Sequence, residues 1–280
     1  MPATPTAPTR QPTPPAPPAP RVPPSVRSRR AGGPLGRARL AVARGYSRLL
    51  MHRPPTDWSV PTADGRYGPD LPGPQQPISL LMLGDSLAQS LGAGRREETL
   101  GARLAQVLSD TVELPVDLRV FARVGATTRG VQLQALRAGK LPPGVAVLIV
   151  GGNDALLPLP LGRSSRRFAH LLRGLHEAGW LTVVVPCPNP GYAPGMRAPV
   201  RWVAGRRSQR LARLQIRTAE RVGAVLAPSS GTEFRDRAAE LLGPDGVHPS
   251  PRGYAEHAER MLPSLLTVAR QLGPARLPIG

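Results

Sequence analysis

Between Ile78 and Leu272 the chain alternates short apolar runs with stretches of helical spacing, and two of those runs break off at glycine followed by polar residues. Ile78–Leu83, apolar apart from Ser79, and Val145–Val150 are the runs in question. Continuous apolar runs of this length, closed by turn signals, read as strands covered on both faces, as in a parallel sheet. Val116–Phe121, Leu181–Val185 and Ala224–Leu226 read as further strands. Helical spacing appears in Glu97–Leu108 (Leu100, Leu104, Val107, Leu108), Arg129–Ala138 (Val131, Leu133, Leu136) and Ser164–Ala178 (Phe168, Leu171, Leu172, Leu175). Gly179 stops the last of these. Arg201–Val222 (Leu211, Leu214, Ile216) and Pro251–Leu272 read as helices too, and the Pro/Gly-rich Pro186–Pro199 as a long loop. Strands alternating with helices imply an α/β fold, a parallel sheet with helices on both faces.

This pattern occupies only part of the 280 residues. Residues 1–34 are crowded with Pro, Ala, Thr and Arg and cannot bury enough apolar surface to offset chain ordering, so they read as a disordered tail. Residues 35–51 read as a basic amphipathic helix, with Leu35, Val42, Tyr46, Leu49 and Leu50 on one face among Arg37, Arg44 and Arg48. Residues 52–76 form a linker or extended lead-in, 77–272 the folded domain, and 273–280 a C-terminal tail.

The formal net charge is +19, of which residues 1–76, with eleven Arg and three Asp, hold +8. Lys140 is the only lysine, a usage that points to a GC-rich genome as much as to function. A basic surface attracts phosphates and anionic headgroups. With aromatics at 4% and no helix-turn-helix or zinc-knuckle pattern, no specific nucleic acid is expected. Weak contact of the N-terminal segment with an anionic membrane surface is the partner reading that remains. The lone Cys187 excludes an intrachain disulfide and reads as a small buried hydrophobe. No apolar run is long enough to cross a bilayer, and no apolar core follows the N-terminal arginines, so a cytoplasmic location is expected.

Four separated blocks carry the chemistry: Gly84-Asp85-Ser86-Leu87, Val124-Gly125-Ala126-Thr127, Gly151-Gly152-Asn153-Asp154 and Asp245-Gly246-Val247-His248-Pro249. In an open parallel sheet, ligands bind beyond the carboxyl ends of the strands. Ser86, Gly125 and Asn153 each follow a strand and so reach the same edge. The loop before the closing helix can bring Asp245 and His248 there. A serine hydroxyl is a poor nucleophile unaided; His248 is the natural base and Asp245 can orient its imidazole. The backbone N–H groups of Ser86 and Gly125 and the Asn153 amide are candidate oxyanion donors.

On these blocks the chain resembles the GDSL, or SGNH, hydrolases, over about residues 77–270. The resemblance implies a three-layer α/β/α sandwich, flavodoxin-like, with about five parallel strands. It also implies a serine esterase or lipase-like hydrolase that needs no metal or organic cofactor and takes a small-molecule or lipid ester. Ser86, Asp245 and His248 would be catalytic, with Ser86, Gly125 and Asn153 forming the oxyanion hole. Arg123 and Val124 stand where many relatives carry a small polar run. The absence of Gly-x-Ser-x-Gly argues against the α/β-hydrolase elbow.

Two other readings stay open. The same acyl-enzyme could pass its acyl group to an alcohol or sugar, as an acyltransferase. Alternatively the domain is inactive and the chain is a basic surface-binding or scaffold protein. Asp154 reads as structural. His52, His170, His176 and His257 lack partners at metal-ligand spacing. The arginines of 201–213 read as a solvated face or a contact for an anionic group. Tyr192, Met196 and Trp202 are candidates to line an acyl pocket.

Overall fold

Strand alternation decides the layers. The computed structural model describes residues 45, 47–70 and 76–272. The 1–34 tail, most of the expected 35–51 helix and residues 273–280 lie outside them. In chain order the elements are β1 (Gly65–Tyr67), β2 (Ile78–Gly84), α1 (Ser86–Gln89), α2 (Leu100–Val112), β3 (Val116–Val120), α3 (Thr128–Ala138), β4 (Val145–Ile149) and α4 (Gly152–Leu156). There follow α5 (Leu161–Glu177), β5 (Leu181–Val185), α6 (Ala198–Arg221), β6 (Val225–Leu226), α7 (Glu233–Asp236), α8 (Ala238–Leu241) and α9 (Pro251–Ala269). Leu80 and Met82 of β2 and Val145, Val147 and Ile149 of β4 face one side, where they meet Leu100, Leu104 and Leu108 of α2 and Met261 and Leu265 of α9. Leu81, Leu83, Ala146, Leu148 and Val150 face the other, against Val131 of α3, Phe168 and Leu172 of α5 and Ala219 of α6. Successive strand residues point to opposite faces, so a run apolar at every position needs a layer on each side.

The sheet has six strands in the order β1-β3-β2-β4-β5-β6. All neighbours are parallel except β1, which runs antiparallel to β3 at the edge. The α/β/α sandwich of the sequence reading is therefore present, with one more strand than expected. That strand comes from the 52–76 stretch read as a lead-in. It is held by an exposed Arg66–Asp117 pair at 2.9 Å and by Asp64, whose carboxylate accepts the Val120 N–H at 2.7 Å. From β2 the chain turns to β3 on one side and then returns to β4 on the other, by way of α2 on one face and α3 on the opposite face. The loops after β2, β3 and β4 thus border the crevice at which such sheets bind ligands.

Helical spacing identified the helices better than their buried faces. On α3 Leu133 and Leu136 are exposed, at 50% and 76%, while Gln134 is buried at 3%. Gln134 takes the inward position because its amide grips the end of β2, accepting from Gly84 N and donating to Gly84 O at 2.9 Å each. At the described end of the 35–51 helix, Leu50 is buried but Leu49 is 68% exposed, so these two do not share a face. Cys187 is buried as expected, and burial pushes its thiol well above the ordinary range.

Candidate active site

The last residue of β2, Gly84, has φ +150°, and a Cβ there would run into the Ile149 carbonyl oxygen of the neighbouring strand. Only glycine lets the chain turn so sharply while hugging β4. Asp85 then caps α1, its side chain accepting from Leu87 N at 3.1 Å, and Ser86 occupies the first helical position, half-exposed. A long loop supports the opposite wall. Gly195 donates to Gly246 O at 3.0 Å and lies so close to the Asp245 carbonyl that no side chain fits between them. This contact seats the 245–248 turn against the 186–199 loop.

Across the crevice, His248 Nε2 stands 3.0 Å from Ser86 Oγ, and His248 Nδ1 is 2.6 Å from Asp245 Oδ2. Asp245 Oδ1 accepts the backbone N–H groups of Val247 and His248 at 2.8 and 2.9 Å. Burial raises the Asp245 carboxyl, but the hydrogen bond and charge of His248 and these two N–H groups outweigh it, leaving the group below its ordinary range. A carboxylate held below its ordinary range beside Nδ1 favours the tautomer protonated there, which leaves Nε2 as the acceptor facing the serine.

The other two blocks arrive as the topology requires. Gly125 follows β3 with φ +77°, and Asn153 sits in α4 just after β4. Asn153 Nδ2 donates to Ala126 O at 3.0 Å, which ties the two blocks together and leaves its second amide hydrogen unengaged among the described residues. Among the described residues the N–H groups of Ser86 and Gly125 donate to nothing. Asp154 is structural, as read: it accepts from Thr128 N at 2.8 Å and from Ser164 Oγ at 2.6 Å.

The model of the GDSL-like lipase/acylhydrolase family matches residues 82–256. The chain belongs to this family. Among the family's members, a GDSL-like esterase of Mycobacterium tuberculosis is 32% identical over 193 residues, covering 67% of this chain. The chain spans 62% of that relative's length. Solved structures share the SGNH-hydrolase fold. A psychrotrophic esterase from Pseudoalteromonas sp. superposes with a TM-score of 0.53 at 21% identity, covering 68% of this chain and 97% of that one. A lipase from a goat rumen metagenome gives 0.56 at 21% identity, covering 69% and 99%.

In this member several supporting residues escaped the sequence reading. Gln89 accepts Val124 N at 2.7 Å, bracing the Gly125 turn from α1. Gln215 of α6 bridges the ends of β4 and β5, accepting from Cys187 N at 2.7 Å and donating to Val150 O at 2.9 Å. Arg207 closes the far end of α4: Nε reaches Ala155 O at 2.8 Å, and one terminal nitrogen reaches Leu157 O and Leu159 O at 2.8 and 2.7 Å. The candidate pocket residues do not converge. Met196 is buried with Leu50, Met51 and Ala193, Trp202 is 60% exposed, and Tyr192 borders a separate cleft that includes Cys187 and Ser229.

Proposed function

We propose that this chain hydrolyses carboxylic esters through an acyl-enzyme, with Ser86 as nucleophile, His248 as base and Asp245 as the orienting carboxylate. The observation that carries this reading is the hydrogen-bonded series from Ser86 Oγ to His248 Nε2 at 3.0 Å and from His248 Nδ1 to Asp245 at 2.6 Å. As Ser86 Oγ attacks the ester carbonyl, its proton passes to His248 Nε2, and Asp245 stabilises the imidazolium that results. Charge on the former carbonyl oxygen is met by the N–H groups of Ser86 and Gly125 and by the free Asn153 amide hydrogen. His248 then returns the proton to the departing alkoxide. Water, activated by the same imidazole, releases the acid in the second half of the cycle.

The test is hydrolysis of p-nitrophenyl esters from acetate to long acyl chains, comparing wild type with Ser86→Ala. Hydrolysis lost in the variant supports the reading, and the best chain length sizes the acyl pocket. Equal rates in the two proteins would remove Ser86 from the chemistry.

A further inference from the structure

Helix α6 shows solvent a basic face with apolar side chains at one end. Trp202 and Val203, 60% and 48% exposed, lie at its N-terminal end. Arg206, Arg210, Arg213 and Arg217 follow at spacings of three and four, all exposed. At about 1.5 Å per residue these arginines form a stripe about 16 Å long. The helix holds no acidic residue before Glu220, and none of the four arginines pairs with a carboxylate among the described residues. The Arg206 guanidinium lies 3.8 Å over the Trp202 ring.

More exposed apolar side chains gather at the same end. Leu159, 40% exposed, belongs to the turn whose carbonyls Arg207 holds. Leu49, 68% exposed, neighbours Leu50, whose carbonyl accepts Arg197 N at 2.9 Å just before α6 begins. Beneath them Met196 and Val200 pack with Val247, the residue next to His248. The N-terminal end of α6 is thereby packed in one apolar cluster with the turn that carries His248. A cleft of about 480 Å³ between α6 and the N-terminal end of α5, at Pro160, Leu161 and Gly162, presents Arg206 and Arg210 to any anionic group that enters.

We propose that this face docks on an anionic lipid bilayer, with Trp202, Val203, Leu159 and Leu49 at the headgroup–acyl boundary and the arginines on lipid phosphates. Tryptophan beside exposed aliphatic side chains suits that boundary, where one end of the ring is apolar and the other wet. Arginines flanking such a patch add electrostatic attraction to anionic headgroups. Charge complementarity selects this occupant over others. The chain's own N-terminal segment carries no acid before Asp57, and a second copy would present like charge. A nucleic acid would use the arginines but leave the exposed aliphatic cluster unexplained. Docking rests on this face alone; the ester-hydrolysis reading enters only in what a docked enzyme would act on.

The experiment uses full-length Ser86→Ala protein, which would not consume lipid, with phosphatidylcholine vesicles containing or lacking phosphatidylglycerol. Sedimentation reports binding, and tryptophan emission with quenching by acyl-brominated lipid reports insertion. Trp202 is the most exposed of the three tryptophans, Trp180 being buried and Trp58 half-buried. Expected are binding that requires phosphatidylglycerol, a blue shift and quenching that Trp202→Phe abolishes, and affinity lower by on the order of 10³-fold in R206Q/R210Q/R213Q/R217Q. In a background with Ser86 intact, that quadruple variant should still cleave soluble p-nitrophenyl acetate at the wild-type rate. Vesicle binding without any change at Trp202 would assign attachment to the N-terminal segment and overturn the proposal. So would wild-type affinity in the quadruple variant, or tighter binding to a single-stranded RNA homopolymer than to the vesicles. Vesicle docking by a protein whose Ser86-intact form cleaves no ester would leave this proposal standing and sink the hydrolase reading.

Discussion

Two aspartates flank the candidate nucleophile at the same sheet edge, and their surroundings treat them in opposite ways. Asp245 is given two backbone N–H groups and an imidazole, and lies below the ordinary carboxylate range. Asp85, beside Ser86, is fully enclosed, its side chain accepting from Leu87 N; burial pushes it up to about 7, although that hydrogen bond and the nearby His248 pull it down. The difference separates two tasks that a carboxyl group can do. A group meant to hold an imidazolium must be ionised and aimed, so donors surround it. A group that only caps a turn can remain protonated, and burial favours that state.

The contrast is sharpest in the matched pair of Asp→Asn substitutions. Asp245→Asn should lower kcat on a soluble p-nitrophenyl ester by on the order of 10⁴, with KM little changed, because an amide cannot stabilise the imidazolium and favours the wrong tautomer. Asp85→Asn, which keeps a cap acceptor for Leu87 N, should lower kcat by less than about tenfold. Similar losses in the two variants would show that the two carboxyl groups do not differ in task. Between these extremes, Asn153→Ala should cost on the order of 10²–10³ in kcat, the usual effect of losing one oxyanion donor; a loss appearing in KM alone would place Asn153 in ground-state binding instead.

Stability against pH separates the aspartates again, with smaller effects. Asp85 has its folded pKa raised, so its contribution is full below the unfolded value of 3.8 and is lost as pH rises toward about 7. His257, buried in α9, is lowered by burial from 6.5 to about 4, and its Nε2 has no partner among the described residues. Its contribution is present above 6.5 and is lost as pH falls toward 4. Between about pH 4 and 6.5 the two slopes oppose one another, each reaching at most about 1.4 kcal/mol per pH unit. Urea midpoints of the wild type should therefore change less across that window than those of either variant. Asp85→Asn should gain stability as pH rises to 6.5, and His257→Gln should lose it up to about pH 7. Parallel curves for all three proteins would show that neither group is perturbed as described.

The smallest effect concerns Arg207, which holds the carbonyls after α4 without touching the crevice. Arg207→Gln should lower kcat by about tenfold or less through a looser Asn153, and thermal melting should show a modest loss of stability. An unchanged kcat would limit Arg207 to holding the loop.

Strands with apolar side chains at every position were legible because burial on both faces leaves no polar position to confuse the pattern. Ser86, Gly125, Asn153, Asp245 and His248 were legible for a different reason. Each lies in a short block beside glycine or proline, and strand order brings three of those blocks to one edge. The bracing by Gln89, Gln134, Gln215 and Arg207 was not. A side chain that satisfies a backbone group 28 to 65 residues away leaves no periodic trace. Nor was β1, whose three residues are too few for alternation to show and are fixed by Arg66 and Asp64. Leu133 and Leu136 mark a third limit: helical spacing says that α3 is a helix, but Gln134's bond to Gly84 decides which face turns inward.

In the proposed reaction Ser86 is the residue that takes the acyl group. The most direct test is intact-protein mass spectrometry after treatment with a fluorophosphonate, followed by peptide mapping. A single adduct on the peptide bearing Ser86, absent in Ser86→Ala and slowed sharply in His248→Ala, is the expected result. Folded wild-type protein that stays unlabelled, or that carries its adduct on another serine, would contradict the account.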